Sequence, residues 1–172
     1  VQSHNIMEAD GFLYIIGSTQ YYSDDPDQQA WGLDDLIILD LASNPTEPVK
    51  VGGWSGEYLH DVCIHEDILY GCGIYSASMY AIDISDKSNP EVITQWYGIP
   101  SSHACWVAED GNTLFTASET IGGHIMSWDV TDLENIEYLD EWIQLGGEEF
   151  SAHNIFVKGQ FLYISYYVYG LK

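Results

Sequence analysis

The feature that most constrains the fold is a recurrent spacing between an aspartate and a tryptophan. In three places an apolar strand ends in Asp, and a later strand ends in Trp 14, 13 and 13 residues further on. The three pairs are Asp40 and Trp54, Asp83 and Trp96, and Asp129 and Trp142. Such a fixed interval between short strand patterns indicates that the chain repeats one β-rich structural unit.

A histidine opens each unit, and the same strand pattern follows it. The histidines are His4, His60, His103 and His153, at intervals of 56, 43 and 50 residues. Each precedes a hairpin signal such as Asp10-Gly11, in which glycine supplies the positive φ of a tight turn, and then an aromatic strand. A period of this length with strand patterns is typical of propeller blades and not of helical solenoids.

The sequence therefore predicts an all-β fold, a β-propeller of four-stranded antiparallel blades, with strands A to D running from the inner to the outer edge of each blade. The predicted units are residues 1–56, 57–98, 99–144 and an incomplete 145–172. Because the chain starts at Val1 and stops at Lys172 inside a predicted strand, we expect a fragment of about three and a half blades from a longer protein. We expect the tryptophan of each strand D to pack on the neighbouring unit.

The charge balance limits the partners that the chain can bind. It has 27 acidic residues against four lysines, for a net charge of −23, which disfavours nucleic acid and anionic membrane surfaces. No apolar run is long enough for a transmembrane helix, so we expect no membrane insertion within this segment. The acidity fits solubility in a salty or extracellular setting, or a dedicated role in binding cations.

An acidic insertion between strands B and C of the first unit is one candidate cation site. Its residues Asp24, Asp25 and Asp27 could hold Ca²⁺ through carboxylate oxygens, although they do not follow the EF-hand pattern. The alternative is a solvated acidic loop.

The three cysteines leave the redox state open. Cys63 and Cys72 flank a predicted hairpin turn, where cross-strand neighbours can come within disulfide reach. Such a disulfide would agree with an exported protein, and it would leave Cys105 as an unpaired cysteine. Reduced thiols in the core are the alternative.

The histidines become a candidate site because strand A lines the axis of a propeller. If all four lie at the same end of strand A, they converge, and imidazole suits Zn, Cu, Fe or Ni. We therefore name His4, His60, His103, His153 and the adjacent Asp61 as candidate ligands of a transition metal. Strand neighbours alternate faces, however, so Asp61, like Asn5 and Asn154, is better placed to bridge blades.

Two other roles remain open for the histidines. They could brace the loop that enters each blade, with the recurrent Asp40, Asp83 and Asp129 as hydrogen-bond partners, or they could form a binding surface without metal. Ring nitrogens within about 5 Å of one point would favour the metal site. If the rings instead bond to the backbone or to the aspartates of adjacent blades, the metal interpretation fails.

Motifs for catalysis are absent, whereas aromatic side chains are frequent. The patterns Gly-x-Ser-x-Gly, Ser-x-x-Lys and His-Glu-x-x-His do not occur. Several tyrosines could form a platform for a carbohydrate or a peptide, or could pack between blades. They are Tyr21, Tyr22, Tyr75, Tyr97 and Tyr166.

Two sets of motifs resemble a known family. The strand-C segments Asp83-Ile84-Ser85, followed by Asn89-Pro90, and Trp128-Asp129-Val130-Thr131 resemble the LVIVD repeat. An ordered set of four histidine motifs resembles the bacterial choice-of-anchor B proteins, which carry LVIVD repeats. These motifs are Ser3-His4-Asn5, His60-Asp61, His103-Ala104-Cys105-Trp106 and His153-Asn154. The resemblance implies an exported or surface-anchored bacterial β-propeller.

We therefore expect a secreted or cell-surface LVIVD-repeat β-propeller that binds an unidentified protein, peptide or glycan ligand. A non-catalytic binding module is favoured over an enzyme. The alternative is a metal-dependent enzyme with its histidine cluster at the propeller axis.

Overall fold

The computed structural model describes residues 3–17 and 35–172. The acidic insertion with Asp24, Asp25 and Asp27, and the tyrosines Tyr21 and Tyr22, lie outside the described residues. In the described part, fourteen strands are followed by one 3-10 turn. No helix in that part is long and apolar enough to cross a membrane.

The strands follow the chain in groups that each form one antiparallel sheet. The first sheet contains β1 (Asn5–Ala9), β2 (Phe12–Ile16), β3 (Leu36–Asp40) and β4 (Val49–Trp54). The second contains β5 (Val62–His65), β6 (Ile68–Gly73), β7 (Ser78–Asp83) and β8 (Glu91–Tyr97). The third contains β9 (Ser102–Val107), β10 (Thr113–Ser118), β11 (Ile125–Asp129) and β12 (Glu137–Trp142). The fourth contains β13 (Ile155–Lys158) and β14 (Phe161–Ile164), and the 3-10 turn spans Tyr167–Tyr169.

The order of strands in space is the order in sequence, which is the meander of a propeller blade. The inner strands β1, β5, β9 and β13 contact each other in succession, so strand A of each blade is the innermost. The prediction of an all-β propeller with four-stranded antiparallel blades is confirmed. The fourth blade has two strands in the described part of the chain.

The core is divided among the junctions between successive blades. Tyr14 and Ile16 of the first blade are buried with Leu59 and Val62 of the second. The second and third blades enclose another cluster, which contains the three cysteines, Met79 and Trp128, and the third and fourth enclose Ala104, Ile125, Ile155 and Tyr166. Each blade therefore buries its faces against its neighbours and not within itself, as repeat proteins do.

The tryptophans at the ends of the outer strands span these junctions, as the sequence predicts. Each ring lies against an aromatic ring of the next blade. The ring-centroid distances are 5.4 Å for Trp54 to Tyr80, 6.3 Å for Trp96 to Trp128 and 6.1 Å for Trp142 to Tyr166.

The aspartates at the ends of the third strands act locally. Asp40, Asp83 and Asp129 accept the backbone N–H of Ser43, Ser85 and Thr131 at 3.1, 2.8 and 2.9 Å. A carboxylate that accepts a nearby backbone N–H fixes a tight turn. The expectation that these aspartates are the partners of the histidines is wrong. The turns lie at one end of the strands, and the histidines lie at the other end.

The cysteines are buried free thiols. Cys63 lies opposite Tyr70 in the β5–β6 ladder, whereas the N–H of Cys72 bonds to the carbonyl of Asp61 at 2.8 Å. Cys63 and Cys72 are therefore two residues out of register and are not cross-strand partners. The structure shows reduced core thiols, which is the alternative to a Cys63–Cys72 disulfide.

Candidate metal-binding site

The histidines lie at the start of strand A, and so at the same end of the strands in every blade, which is called the histidine edge below. Hydrogen bonds to strand B hold them there. The N–H groups of His4, His60 and His153 bond to the carbonyls of Ile16, Cys72 and Ser165 at 2.9, 2.8 and 2.9 Å. The antiparallel ladders therefore place the same side chain at the same height in successive blades.

Three of the four imidazoles are bonded to the backbone of the next blade. The Nδ1 atoms of His4, His60 and His103 lie 3.0, 3.1 and 3.1 Å from the carbonyl oxygens of His60, His103 and His153. Because a carbonyl oxygen only accepts, Nδ1 must carry the proton in each of the three rings. The bracing role is therefore present, with the backbone as the partner.

The same bonds leave the other ring nitrogen available. A neutral imidazole that is protonated at Nδ1 has a lone pair at Nε2. Metal-bound histidines are usually oriented in this way, with the second ring nitrogen donating to a carbonyl or carboxylate. Bracing and metal binding are thus compatible, since each uses a different nitrogen. The expectation that bonds to the backbone of adjacent blades would exclude a metal site is wrong for this reason.

The rings form a continuous row. Ring-centroid distances are 3.8 Å from His4 to His60, 4.2 Å from His60 to His103 and 4.4 Å from His103 to His153, with interplanar angles of 43°, 45° and 47°. His60 and His103 are buried, His153 is half-buried and His4 is exposed. The two central imidazoles are therefore the most shielded from water.

A glutamate completes a cluster of three ligand atoms. One ligand atom each from His60, His103 and Glu119 lies within 4.8 Å of the other two. Nε2 of His103 is 3.2 Å from Oε2 of Glu119, and Nε2 of His153 is 3.8 Å from Oε1. We did not predict Glu119 from the sequence.

Glu119 comes directly after β10, beside a break in the ladder between β9 and β10. The register there shifts between Ala117 and Ser118. The same irregularity recurs in the other blades, because Ile16, Cys72 and Ser165 each face two residues of strand A, the histidine and its successor. Glu119 follows this bulge, and its N–H bonds to the carbonyl of Ser101 at 3.0 Å. Bulges re-aim side chains and are frequent beside functional sites.

A signal for Glu119 is present in the sequence once the units are aligned on strand B. Five residues after the recurrent leucines Leu13, Leu69, Leu114 and Leu162 come Ser18, Ile74, Glu119 and Tyr167. One unit thus places an acidic residue where the others do not. A search restricted to residues present in every unit cannot find it.

The electrostatics of the cluster favour a bound cation. Burial, with the adjacent His60 as the next cause, lowers the pKa of His103 to about 4, although Glu119 opposes this effect. Burial and the adjacent His4 also lower the pKa of His60. At neutral pH, His103 is therefore uncharged and not the cationic half of an ion pair. Its Nε2 lone pair faces the Glu119 carboxylate, an arrangement that a shared cation stabilises.

The fourth blade holds the carboxylate from the other side. The Tyr167 hydroxyl donates a hydrogen bond to Oε1 of Glu119, and its ring lies 5.3 Å from that of His153 in an edge-to-face contact. Tyr167 has a φ of 36°, a left-handed conformation that is uncommon for a non-glycine residue. Next to it is an open pocket lined by His153, Ser165, Tyr166, Tyr167 and Gly170.

The remaining predicted ligands lie outside the three-residue cluster. Asp61 accepts hydrogen bonds from the Asn5 amide at 2.7 Å and from the Val62 N–H at 2.9 Å. It therefore bridges the first two blades, and burial raises the pKa of its carboxyl to about 6. His4 is the outermost ring of the row, and Asn154 is exposed.

The predicted aromatic platform is divided between exposed and buried tyrosines. Tyr75 is 81 % exposed and packs on Tyr58 with ring centroids 5.2 Å apart, near His60. Tyr97 is exposed as well, whereas Tyr166 is fully buried between the third and fourth blades. Tyr166 therefore cannot belong to an exposed platform.

Comparison with protein-family models agrees with the repeat. The LVIVD repeat model matches residues 30–54 and 60–96. A search of the curated proteins found no match.

Solved structures share the fold. Hydrazine synthase of Kuenenia stuttgartiensis matches with a TM-score of 0.67 and 14% identity over 94% of this chain and 41% of that chain. The periplasmic gluconolactonase of Pseudomonas aeruginosa matches with a TM-score of 0.62 and 12% identity over 90% of this chain and 47% of that chain. The computationally designed Ika4 protein matches with a TM-score of 0.65 and 9% identity over 99% of this chain and 89% of that chain. This chain thus spans less than half of the two natural proteins, and these likenesses establish the propeller fold.

Proposed function

We propose that this LVIVD propeller segment binds a divalent transition metal ion through Nε2 of His60, Nε2 of His103 and the carboxylate of Glu119, and acts as a metal-dependent binding module. The observation that carries the proposal is that one ligand atom from each of these three residues lies within 4.8 Å of the other two. His4, His153 and Asp61, which the sequence also named, take supporting positions around this set.

The chemistry of the donors favours zinc or a metal with similar preferences. Two imidazoles and one carboxylate suit Zn²⁺ and Fe²⁺, whereas Ca²⁺ and Mg²⁺ prefer oxygen ligands alone. Donors bound tetrahedrally at about 2.1 Å from an ion lie about 3.4 Å apart. Nε2 of His103 and Oε2 of Glu119 are already 3.2 Å apart. The three ligand atoms can therefore bind one ion after adjustment of side chains alone.

The ligand would approach from the side of the fourth blade. Three protein ligands leave one tetrahedral position open, and the pocket beside Tyr167 and His153 lies next to Glu119. An oxygen atom of a protein, peptide or glycan could fill that position. The exposed Tyr75 ring on the His60 side offers an apolar contact for the same partner.

We further propose that the protein is exported, as a secreted or cell-surface bacterial propeller of the choice-of-anchor B kind. The ordered histidine motifs and the LVIVD match support this assignment. The net charge of −23 suits a salty or extracellular setting, and it draws cations toward the site.

A metal-dependent enzyme is the second candidate function, and one observation favours it. Metal sites with three protein ligands and an open position are typical of catalytic centres, whereas structural zinc sites have four protein ligands. Hydrolysis of an ester or lactone panel that requires added Zn²⁺ and is lost in Glu119→Gln would establish the enzyme. Zn²⁺ binding without hydrolysis of any of these compounds would support the binding module instead of the enzyme.

The proposal is tested by isothermal titration of the chelator-treated protein with Zn²⁺ and by the visible spectrum of bound Co²⁺. The decisive variants are His60→Asn and His103→Asn, since the asparagine amide replaces the Nδ1–H donor and removes Nε2. We expect both variants, and Glu119→Gln, to weaken Zn²⁺ binding at least about 100-fold.

His4→Asn is the matched control, because it makes the same change in the same row outside the three-ligand set. It should leave the Zn²⁺ affinity within about threefold of the wild type. The metal site is overturned if the wild type binds no Zn²⁺, or if His4→Asn and His103→Asn weaken binding equally.

A further inference from the structure

The junction between the second and third blades brings two thiols from different blades into contact. Cys63 is on β5 and Cys105 is on β9, and their Sγ atoms are 3.4 Å apart. Both side chains are buried, at 1% and 2% exposure. The pair differs from Cys63 and Cys72, which flank the hairpin turn in the sequence.

The surrounding contacts hold the two sulfurs at this separation. The bond from His60 Nδ1 to the carbonyl of His103 ties the same two inner strands together at 3.1 Å. Sγ of Cys105 also lies 3.4 Å from the carbonyl oxygen of Tyr70. Met79 and Leu114 fill the same core, so the sulfurs have little room to separate.

We propose that Cys63 and Cys105 form a disulfide that links the second blade to the third when the chain folds in an oxidising compartment. The two sulfurs need to approach by a little over 1 Å to reach a bond length of about 2.05 Å. Cys72, which lies in the same cluster, stays a free thiol.

The oxidant is an external disulfide, such as oxidised glutathione or a protein dithiol oxidant. The thiolate of one cysteine attacks it, forms a mixed disulfide and releases one thiol. The thiolate of the second cysteine then attacks the bonded cysteine sulfur and releases the other thiol. The two cysteines lose two electrons and two protons, and the external disulfide is reduced to two thiols.

This thiol–disulfide exchange must take place before the second and third blades pack together. The sulfurs are shielded from a bulky oxidant in the folded state, because both side chains are almost fully buried. Once formed, the disulfide has the same protection from reductants. The proposal is independent of the metal site, because the two sulfurs are not among the proposed ligands and the bond that ties the strands uses Nδ1 of His60 and not Nε2.

The test is a peptide map of the whole chain after refolding from reduced, denatured protein in a glutathione redox buffer. Free thiols are alkylated before digestion. We expect one internal disulfide, between Cys63 and Cys105, with Cys72 alkylated. A disulfide that involves Cys72, or three alkylated cysteines, overturns the proposal.

Alanine variants supply a second measurement. Cys72→Ala is the matched control, since it removes an equally buried thiol from the same core and should keep the disulfide. After refolding from denaturant in dithiothreitol, the wild type and Cys72→Ala should melt about 5–15 °C below the same proteins refolded in the glutathione buffer, with no such difference for Cys63→Ala or Cys105→Ala. Equal sensitivity of all three variants to the reductant contradicts the proposed pairing.

Discussion

Polar residues recur at both edges of the blades, but the two edges use them differently. At the edge where the inner strands begin, the imidazoles of His4, His60 and His103 are bonded to the backbone of the next blade, and the two central rings are buried. At the opposite edge, Asp40, Asp83 and Asp129 bond to residues two or three positions further along the same chain segment. The histidines therefore connect blades, whereas the aspartates shape one turn each.

The difference shows that recurrence alone does not identify a functional residue. Both sets recur for structural reasons, yet only the histidines come close to one another, in a row with ring centroids 3.8–4.4 Å apart. Each aspartate instead makes its bonds within its own exposed turn. The histidine edge is thus the one at which a repeat can acquire chemistry, and Glu119 is the residue that distinguishes one blade there.

The largest expected effect is the loss of a buried imidazole. His103→Ala removes the hydrogen bond to the His153 carbonyl and leaves a cavity between two neighbouring rings. We expect the free energy of unfolding to fall by about 2–4 kcal/mol. Urea denaturation of the metal-free protein measures it, and His103→Asn should lose less because the amide keeps the donor. A loss equal to that of a turn aspartate would remove the distinction between the two edges.

The next effect concerns the hydroxyl that orients the glutamate. Tyr167→Phe keeps the ring against His153 and removes only the donor to Glu119. We expect Zn²⁺ affinity to fall about 10-fold to 100-fold, the usual effect of removing a partner of a metal ligand. Competition with a chromophoric chelator gives the constant. Unchanged affinity would mean that Glu119 needs no support from the fourth blade.

The pH dependence of stability distinguishes two ionisable groups at the histidine edge, the buried His103 and the half-buried Asp61. In metal-free protein, the pKa of His103 falls from its usual 6.5 to about 4, so the unfolded state binds a proton first and stability falls as the pH drops from 6.5 to 4. The pKa of Asp61 rises from 3.8 to about 6, so the folded state binds a proton first and stability rises as the pH drops from 6 to 3.8. The two contributions oppose each other.

Asp61→Asn removes the opposing contribution and keeps the side-chain shape. We expect the melting temperature of this variant to fall more steeply than that of the wild type between pH 6 and pH 4, measured with chelator present. Parallel curves for the two proteins would contradict this assignment.

The smallest effect is expected at the opposite edge. Asp83→Ala loses the bond to the Ser85 N–H in an exposed turn, where water replaces it. We expect the melting temperature to fall by no more than about 2 °C, with Zn²⁺ affinity unchanged. Asp83→Asn, which keeps the acceptor oxygen, serves as the control. A larger loss than that of His103→Asn would reverse the ranking of the two edges.

The fold was predictable from the sequence because its signals are local and repeated. The interval from Asp83 to Trp96 reports strand C, a turn and strand D, and each repetition confirms the register. The packing of each tryptophan on the next blade followed from its place on the outer strand. These features depend on strand alternation and turn chemistry, which short segments encode.

The candidate site was predictable only in part. The recurrence of His60 and His103 located it, but Glu119 occurs in one unit only, just beyond the end of its strand B, so a pattern shared by all units does not reveal it. The partner of Cys63 was missed for a related reason. Proximity in the chain favoured Cys72, whereas Cys105 is brought close by the packing of two blades.

The acceptor in each bond between histidines is a main-chain carbonyl, a group that every residue possesses. A unit duplicated or deleted by recombination therefore presents the same acceptor to the histidine before it, whatever its own side chains are. The cores behind the inner strands are not interchangeable, since one junction holds cysteines and another holds Tyr14 and Ile16. Gene duplication can thus change the number of blades without redesigning the inner edge, while the packing behind that edge must be selected again each time.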